Sequence, residues 1–155
     1  MNMVEAINFV SLSSHQIEEV LFWRNHPIIQ KYMRNDKEIL LSEHLRFIEN
    51  LSKDPSKRYF YVHENHLGVG TFNLTHIEND SAEMGIYVNP FMHGKGYGKK
   101  ILDYIVNYAT VELNLKTLYL EVYRDNPVAI HLYEKNKFYK YDATEDMFKM
   151  KRDLK

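Results

Sequence analysis

Three glycines at alternate positions, Gly94, Gly96 and Gly98, lie within the run His93-Gly94-Lys95-Gly96-Tyr97-Gly98-Lys99. Glycines so spaced let a backbone approach an anion with no Cβ in the way. Upstream, Met84, Ile86 and Val88 alternate as one side of a strand, and Asn89-Pro90 stops it, because proline cannot donate to a ladder. Downstream, Ile101, Leu102, Ile105 and Val106 fall on one helical stripe. A strand, a glycine loop and a helix start leave backbone N–H groups unpaired at the positive end of a helix dipole. That chemistry suits a phosphate or pyrophosphate. The loop is neither a Walker loop nor a dinucleotide fingerprint, whose glycine spacings differ. Taken alone, it also reads as an ordinary strand-to-helix turn.

A second stretch follows the apolar strand Leu118-Tyr119-Leu120-Glu121-Val122-Tyr123. Asn126 is placed to cap a helix whose first position is Pro127, and Ala129, Leu132 and Tyr133 share one side of it. On spacing alone Tyr133 is a core tyrosine. Glu121 alternates with Leu120 and Val122 and so faces away from their side of the sheet. Glu83 lies on the preceding strand. On residue type alone, either glutamate is a solvated strand carboxylate.

The chain has 155 residues, which suits one domain over residues 1–155. A formal net charge of −1 argues against a general nucleic-acid binder. No cysteine is present, so disulfides, thiolate metal sites and an acyl-cysteine intermediate are excluded. The eight histidines show no metal-binding spacing, and no metal is expected. No apolar run reaches membrane-span length, and the N-terminal decapeptide lacks a basic region followed by an apolar core, so a cytoplasmic protein is expected.

The patterning predicts a strand over Val4–Val10 and a helix capped by Ser13 or Ser14, with Glu18 or Glu19 in its first turn. A short helix follows over Pro27–Met33, then a helix capped by Ser42. Three strands are expected over Arg58–His63, Leu67–Ile77 and Ser81–Asn89, with a turn at Glu64-Asn65. The glycine loop and its helix run to about Leu113. A strand over Thr117–Tyr123, a helix over Asn126–Asn136 and one or two closing strands over Phe138–Met150 complete the chain. This order gives an α+β domain with helices packed on a mostly antiparallel sheet. The unit from Met84 to Tyr123 is expected to be a right-handed parallel crossover.

The two stretches taken together resemble the GCN5-related N-acetyltransferase superfamily, from about Leu67 to Tyr141. The resemblance implies a parallel pair of strands that splay apart and admit acetyl-CoA as cosubstrate. It implies pyrophosphate binding by the loop His93, Gly94, Lys95, Gly96, Tyr97, Gly98 and Lys99, with His93 where relatives carry Gln or Arg. Ile86, Tyr87 and Val88 would pair with the pantetheine arm, and Asn126 would contact it. Tyr133 would be the general acid that protonates the departing thiolate. Glu121 matches a base position in some relatives, Glu83 is the other candidate, and a water chain could replace both.

The N-terminal half, with Trp23-Arg24-Asn25 and the helix carrying Ser42, His44 and Phe47, is similar to acetyltransferases of nucleotide-linked amino sugars. That implies a UDP-linked 4-amino-4,6-dideoxy sugar as acceptor, as in pseudaminic acid biosynthesis. Arg24 and His44 would meet its diphosphate, Met33 and Phe47 its apolar edge, and Thr75 would border the cleft. The competing expectation for Trp23, Met33 and Phe47 is core packing. A protein N-terminal or lysine acetyltransferase and a non-catalytic CoA-binding module are the alternative functions. A homodimer is expected from the size of the domain within this family.

Overall fold

The structure is a computed structural model and describes residues 3–154. The N-terminal decapeptide includes residues 1 and 2, which lie outside the described residues, as does residue 155. One seven-stranded sheet runs through the chain in the order β1-β2-β3-β4-β5-β7-β6. Its strands are β1 (Glu5–Asn8), β2 (Arg58–Glu64), β3 (Leu67–Thr75), β4 (Ser81–Val88), β5 (Thr117–Tyr123), β6 (Tyr139–Ala143) and β7 (Met147–Asp153). The helices are α1 (Ser14–Asn25), α2 (Pro27–Gln30), α3 (Leu41–Leu51), α4 (Tyr97–Asn107) and α5 (Pro127–Lys135). Every strand pair is antiparallel except β4 with β5. Among the described residues no helix is long and apolar enough to cross a membrane.

Alternation along the strands sends side chains to two faces, each with its own core. On one face Ile101, Leu102 and Ile105 of α4 bury against Phe72, Leu74, Met84, Leu118, Leu120 and Met150. Each such aliphatic side chain contributes about 1.5–3 kcal/mol on burial. On the other face Val20 and Trp23 of α1 and Ile48 and Leu51 of α3 close over Phe9 and Tyr61. Trp23 stacks on Tyr61 with centroids 5.6 Å apart, so it is a core residue.

Several element ends differ from the expected ones for local reasons. Residues Phe9–Ser11 turn into a short 3-10 helix, because the Asn8 side chain accepts from Val10 N and ends β1 early. Ser13 caps α1 in a reciprocal box with Gln16, and no acidic residue lies in the first turn, so Glu18 and Glu19 fall further along. The short helix α2 ends at Gln30 rather than Met33. Ser42 is not a cap. The Leu40 N–H donates to the Glu43 carboxylate at 2.9 Å, and Leu40 is the N-cap, which starts α3 two residues earlier. The β2–β3 turn is Asn65-His66, with φ of 50° and 68°, the left-handed pair that a two-residue hairpin demands. Glu64 thereby becomes the last residue of β2. A π-helical turn over Tyr108–Glu112 continues α4.

The two sheet edges are short or irregular. β1 has four residues, and β6 carries a bulge between Lys140 and Asp142.

Gly70 on β3 sets how closely α4 approaches the sheet. A Cβ there would lie 2.9 Å from Ile101 Cδ1 and 3.1 Å from Val88 Cα, and would also meet the Tyr87 carbonyl. Gly70→Val is expected to cost about 1–3 kcal/mol through overpacking, read as a lower urea midpoint. An unchanged midpoint would show that α4 has room to move away.

Candidate active site

The parallel pairing of β4 with β5 is short. It covers Ser81, Ala82 and Glu83 against Thr117, Leu118 and Tyr119 and goes no further. The Asp80 carbonyl fixes its start by accepting from Lys116 N at 2.7 Å and Thr117 N at 3.1 Å. Beyond Glu83, β4 stays paired with β3 through Val88, while β5 pairs with β7 along its whole length. The two strands therefore part, and the β5-facing edge of β4 over Met84–Val88 has no strand partner among the described residues. Ile86, Tyr87 and Val88 lie on this edge, where an extended ligand can add as a strand.

The glycine loop closes the wide end of this gap. Asn89 fixes the exit from β4: it donates to the Gly68 carbonyl at 3.0 Å and accepts from Phe91 N at 2.9 Å. Gly94 and Gly96 have φ of 78° and 83°, and a Cβ at either would meet nothing within 4 Å. The turn thus needs their left-handed backbone, and the space over both is open. Gly96 is the N-cap of α4 and provides no side-chain cap, so the first amides of Tyr97, Gly98 and Lys99 are left without one. These features fit an anionic phosphate group. A Cβ on Gly98 would lie 3.2 Å from Leu132 of α5, so this glycine lets α4 and α5 meet beside the loop.

His93 is engaged differently from a phosphate ligand. Its Nε2 lies 3.2 Å from the Val88 carbonyl, which can only accept, so the ring donates to the strand. Lys99 pairs with Asp103 one turn on, at 2.7 Å, and Lys95 is exposed. Asn126 caps α5, its Oδ1 accepting from Ala129 N at 3.3 Å. Sequence reasoning missed an anchor of the loop. Glu64 accepts from the Tyr97 hydroxyl at 2.9 Å and from Lys100 Nζ at 2.8 Å, tying the first turn of α4 to the end of β2. Hydrogen bonds from Lys100 and then Tyr97 hold the Glu64 carboxyl below its ordinary range. The spacing of Tyr97 and Lys100 puts them on one helix side, but nothing in the sequence near Glu64 pointed to it.

Tyr133 is 6% exposed and packs on Phe138 with centroids 5.6 Å apart. Burial alone pushes its phenol up to about 12. Core packing is compatible with an acid role, because a buried phenol stays protonated and can still donate.

Glu83 and Glu121 fall on the opposite face, toward α1–α3. Burial raises the phenol of Tyr59, and Glu83, which sits opposite Thr75 in the ladder, raises it further. Both glutamates act on Tyr141, whose phenol is raised first by burial and then by its neighbours. Glu121 forms an ion pair with Arg34, a residue that sequence reasoning did not single out. Of the expected acceptor residues, Phe47 stands edge-on to Tyr59 at 4.8 Å, and Met33 is half-buried just after α2. Arg24 donates to the Asn35 carbonyl at 2.5 Å, and its buried Nη1 has no partner among the described residues. Burial lowers the Arg24 guanidinium, and the Tyr87 phenol beside it raises it.

His44 does not fit the expected cationic role. It is 6% exposed, enclosed between α3 and α1 with a bond to the Ile17 backbone, and burial lowers its pKa. A neutral buried imidazole brings no charge to a diphosphate, so the structure gives it a helix-linking role. A groove of about 520 Å³ on the outer side of α1, between Phe22 and Leu41, contains none of these side chains. Among the described residues no group of three or more His, Cys, Asp or Glu is placed to hold a metal ion.

The model of the acetyltransferase (GNAT) family matches residues 20–138. The chain belongs to this family. It is an N-acetyltransferase that draws its acetyl group from acetyl-CoA. The acetyltransferase PseH of Campylobacter jejuni is 38% identical over 146 residues, which cover 94% of this chain and 91% of that protein. The crystal structure of C. jejuni N-acetyltransferase PseH in complex with acetyl coenzyme A superimposes with a TM-score of 0.84 at 31% identity, covering 99% of this chain and all of the other (100%). Spermidine N-acetyltransferase from Vibrio cholerae, in complex with CoA and spermine, shares the fold, with a TM-score of 0.88 at 22% identity over 98% of this chain and 96% of that one.

Two outcomes follow from the loop and the buried phenols. Gly96→Val forces a branched residue to a positive φ and puts methyl groups into the open space. It is expected to weaken acetyl-CoA binding at least about tenfold in a fluorescence titration. Tyr87, which hydrogen-bonds with Thr71, is pushed up to about 12 by burial, like Tyr133. A raised phenol favours the folded state fully below the unfolded value of about 10 and loses that contribution as pH climbs toward 12. The urea midpoint should therefore hold between pH 8 and 9.5 and fall by pH 11, less steeply in Tyr133→Phe.

Proposed function

We propose that the chain transfers the acetyl group of acetyl-CoA to the 4-amino group of a UDP-linked 4-amino-4,6-dideoxy sugar, a step of pseudaminic acid biosynthesis that supplies flagellin glycosylation. The observation that carries this is the extent of the likeness to PseH. It runs through 94% of the chain and so includes the N-terminal half that shapes the acceptor side. The V. cholerae spermidine N(1)-acetyltransferase, by contrast, is 34% identical over only 52% of this chain.

The acceptor side supports a small molecule over a peptide. Residues 31–40 form a strap held at several points. Asn25 bonds both backbone groups of Ile39, at 2.9 and 2.8 Å, Arg24 holds the Asn35 carbonyl, and Arg34 pairs with Glu121. A peptide needs an open groove there. In this reading Arg24, Met33, Phe47 and Thr75 would border the acceptor and orient the sugar.

The residues divide the chemistry as follows. Unpaired amides of β4 and of the α4 start hold the cosubstrate and the oxyanion of the tetrahedral intermediate. The acceptor nitrogen bonds to the thioester carbonyl carbon, and the carbon–sulfur bond breaks. Tyr133 gives its proton to the departing sulfur. Glu121, Glu83 or a water takes the proton that nitrogen sheds, and solvent returns a proton to the phenolate. A phenol kept neutral at about 12 is a hydrogen-bond donor to sulfur at every working pH.

Thiol release from acetyl-CoA, measured against a panel of UDP-4-amino-sugars, peptides and polyamines, tests the acceptor class. Turnover confined to peptides or polyamines would overturn it. Tyr133→Phe should lower kcat about a hundredfold while acetyl-CoA affinity stays within about threefold. Unchanged kcat would remove Tyr133 from the mechanism.

A further inference from the structure

The Arg34–Glu121 ion pair joins the strap to β5 at the acceptor side of the gap. Arg34 is 63% exposed at its side chain, and Glu121 22%. Among the described residues only Nη2 of the guanidinium is used, which leaves the rest of its fork for another anion. Glu121 has a second cation close by, since Lys149 lies directly across the ladder from it. Lys151, two residues on, lies 5.0 Å from the Tyr141 ring centroid. In this pairing the Arg34 guanidinium stands on Oε1 of Glu121, one of the two oxygens that an amine proton would have to reach. Arg34 sits on a strap that Arg24 and Asn25 also hold, at Asn35 and Ile39.

We propose that Arg34 is a diphosphate-reading residue, and that the acceptor makes it exchange partners. Without acceptor, Arg34 rests on Glu121. When a nucleoside diphosphate group enters beneath the strap, Arg34 moves to the phosphates, whose charge exceeds that of one carboxylate. Glu121 is released to face the amine that the same acceptor brings. Binding the correct anion thus frees the base, and an amine without a diphosphate leaves it masked. This rests on the nucleotide-sugar reading above.

The test is calorimetric titration of UDP into the full-length enzyme and variants, each checked for an unchanged melting temperature. Glu121→Gln should tighten UDP binding about threefold, the size that release of an exposed ion pair supports. Arg34→Ala should weaken it roughly tenfold, and Glu121→Gln added to Arg34→Ala should have no further effect. Glu83→Gln, which removes one charge from the same face without touching Arg34, should shift UDP affinity less than Glu121→Gln. Uridine, lacking phosphates, should be indifferent to all four changes. If UDP binds the wild type but Glu121→Gln does not tighten it, or tightens it equally without Arg34, the exchange is wrong and the nucleotide-sugar reading stands. If UDP fails to bind any form, both fall.

Discussion

The structure depends on how briefly β4 and β5 stay together. Three residues of each strand pair, and then each strand keeps only its outer partner. A sheet interior without a hydrogen-bonded neighbour is costly, because backbone groups left unpaired away from water lose about a hydrogen bond each. The gap persists because both strands are overdetermined elsewhere. β4 is registered against β3 through six residue pairs, and β5 against β7 through seven. The two apolar cores hold α4 and α5 on one face and α1 and α3 on the other, so the strands cannot swing back together. The candidate cosubstrate site is thus an interruption in a ladder, finished by the glycine loop at its wide end.

Much of this was legible in residue order. The run from Met84 to Leu102 announced strand, glycine turn and helix, and Asn126-Pro127 announced the start of α5, because caps, prolines and glycines act locally. The extent of the splay was not legible from periodicity. Ser81 to Val88 reads as one continuous strand whether or not its far edge is paired, and only the family resemblance implied the parting. His44 shows a different limit. A histidine beside Phe47 on a helix reads equally as a ligand or as a packed linker, and only its enclosure against Ile17 separates the two. Glu64 and Arg34 were missed because their partners are 36 and 87 residues away.

The two faces of the sheet divide the labour. The α4–α5 face is apolar and holds Tyr133 in a dry setting, which keeps a phenol neutral. The α1–α3 face carries Tyr59, Glu83, Tyr87 and Glu121 among half-buried aromatics, a setting where polar acceptors can be sorted. The gap is where these two environments meet, which in the proposed mechanism keeps the residues that serve the thiolate apart from those that serve the amine.

The two margins of the sheet have a consequence for how such molecules coexist at high concentration. One margin is a four-residue strand that curls away, and the other is kinked by a bulge flanked by Lys140 and Asp142. Neither offers a long flat row of donors and acceptors to a neighbour. A protein with a deliberate break in the middle of its sheet is thereby shielded from recruiting foreign strands at its rims, and the interior break stays reserved for a ligand.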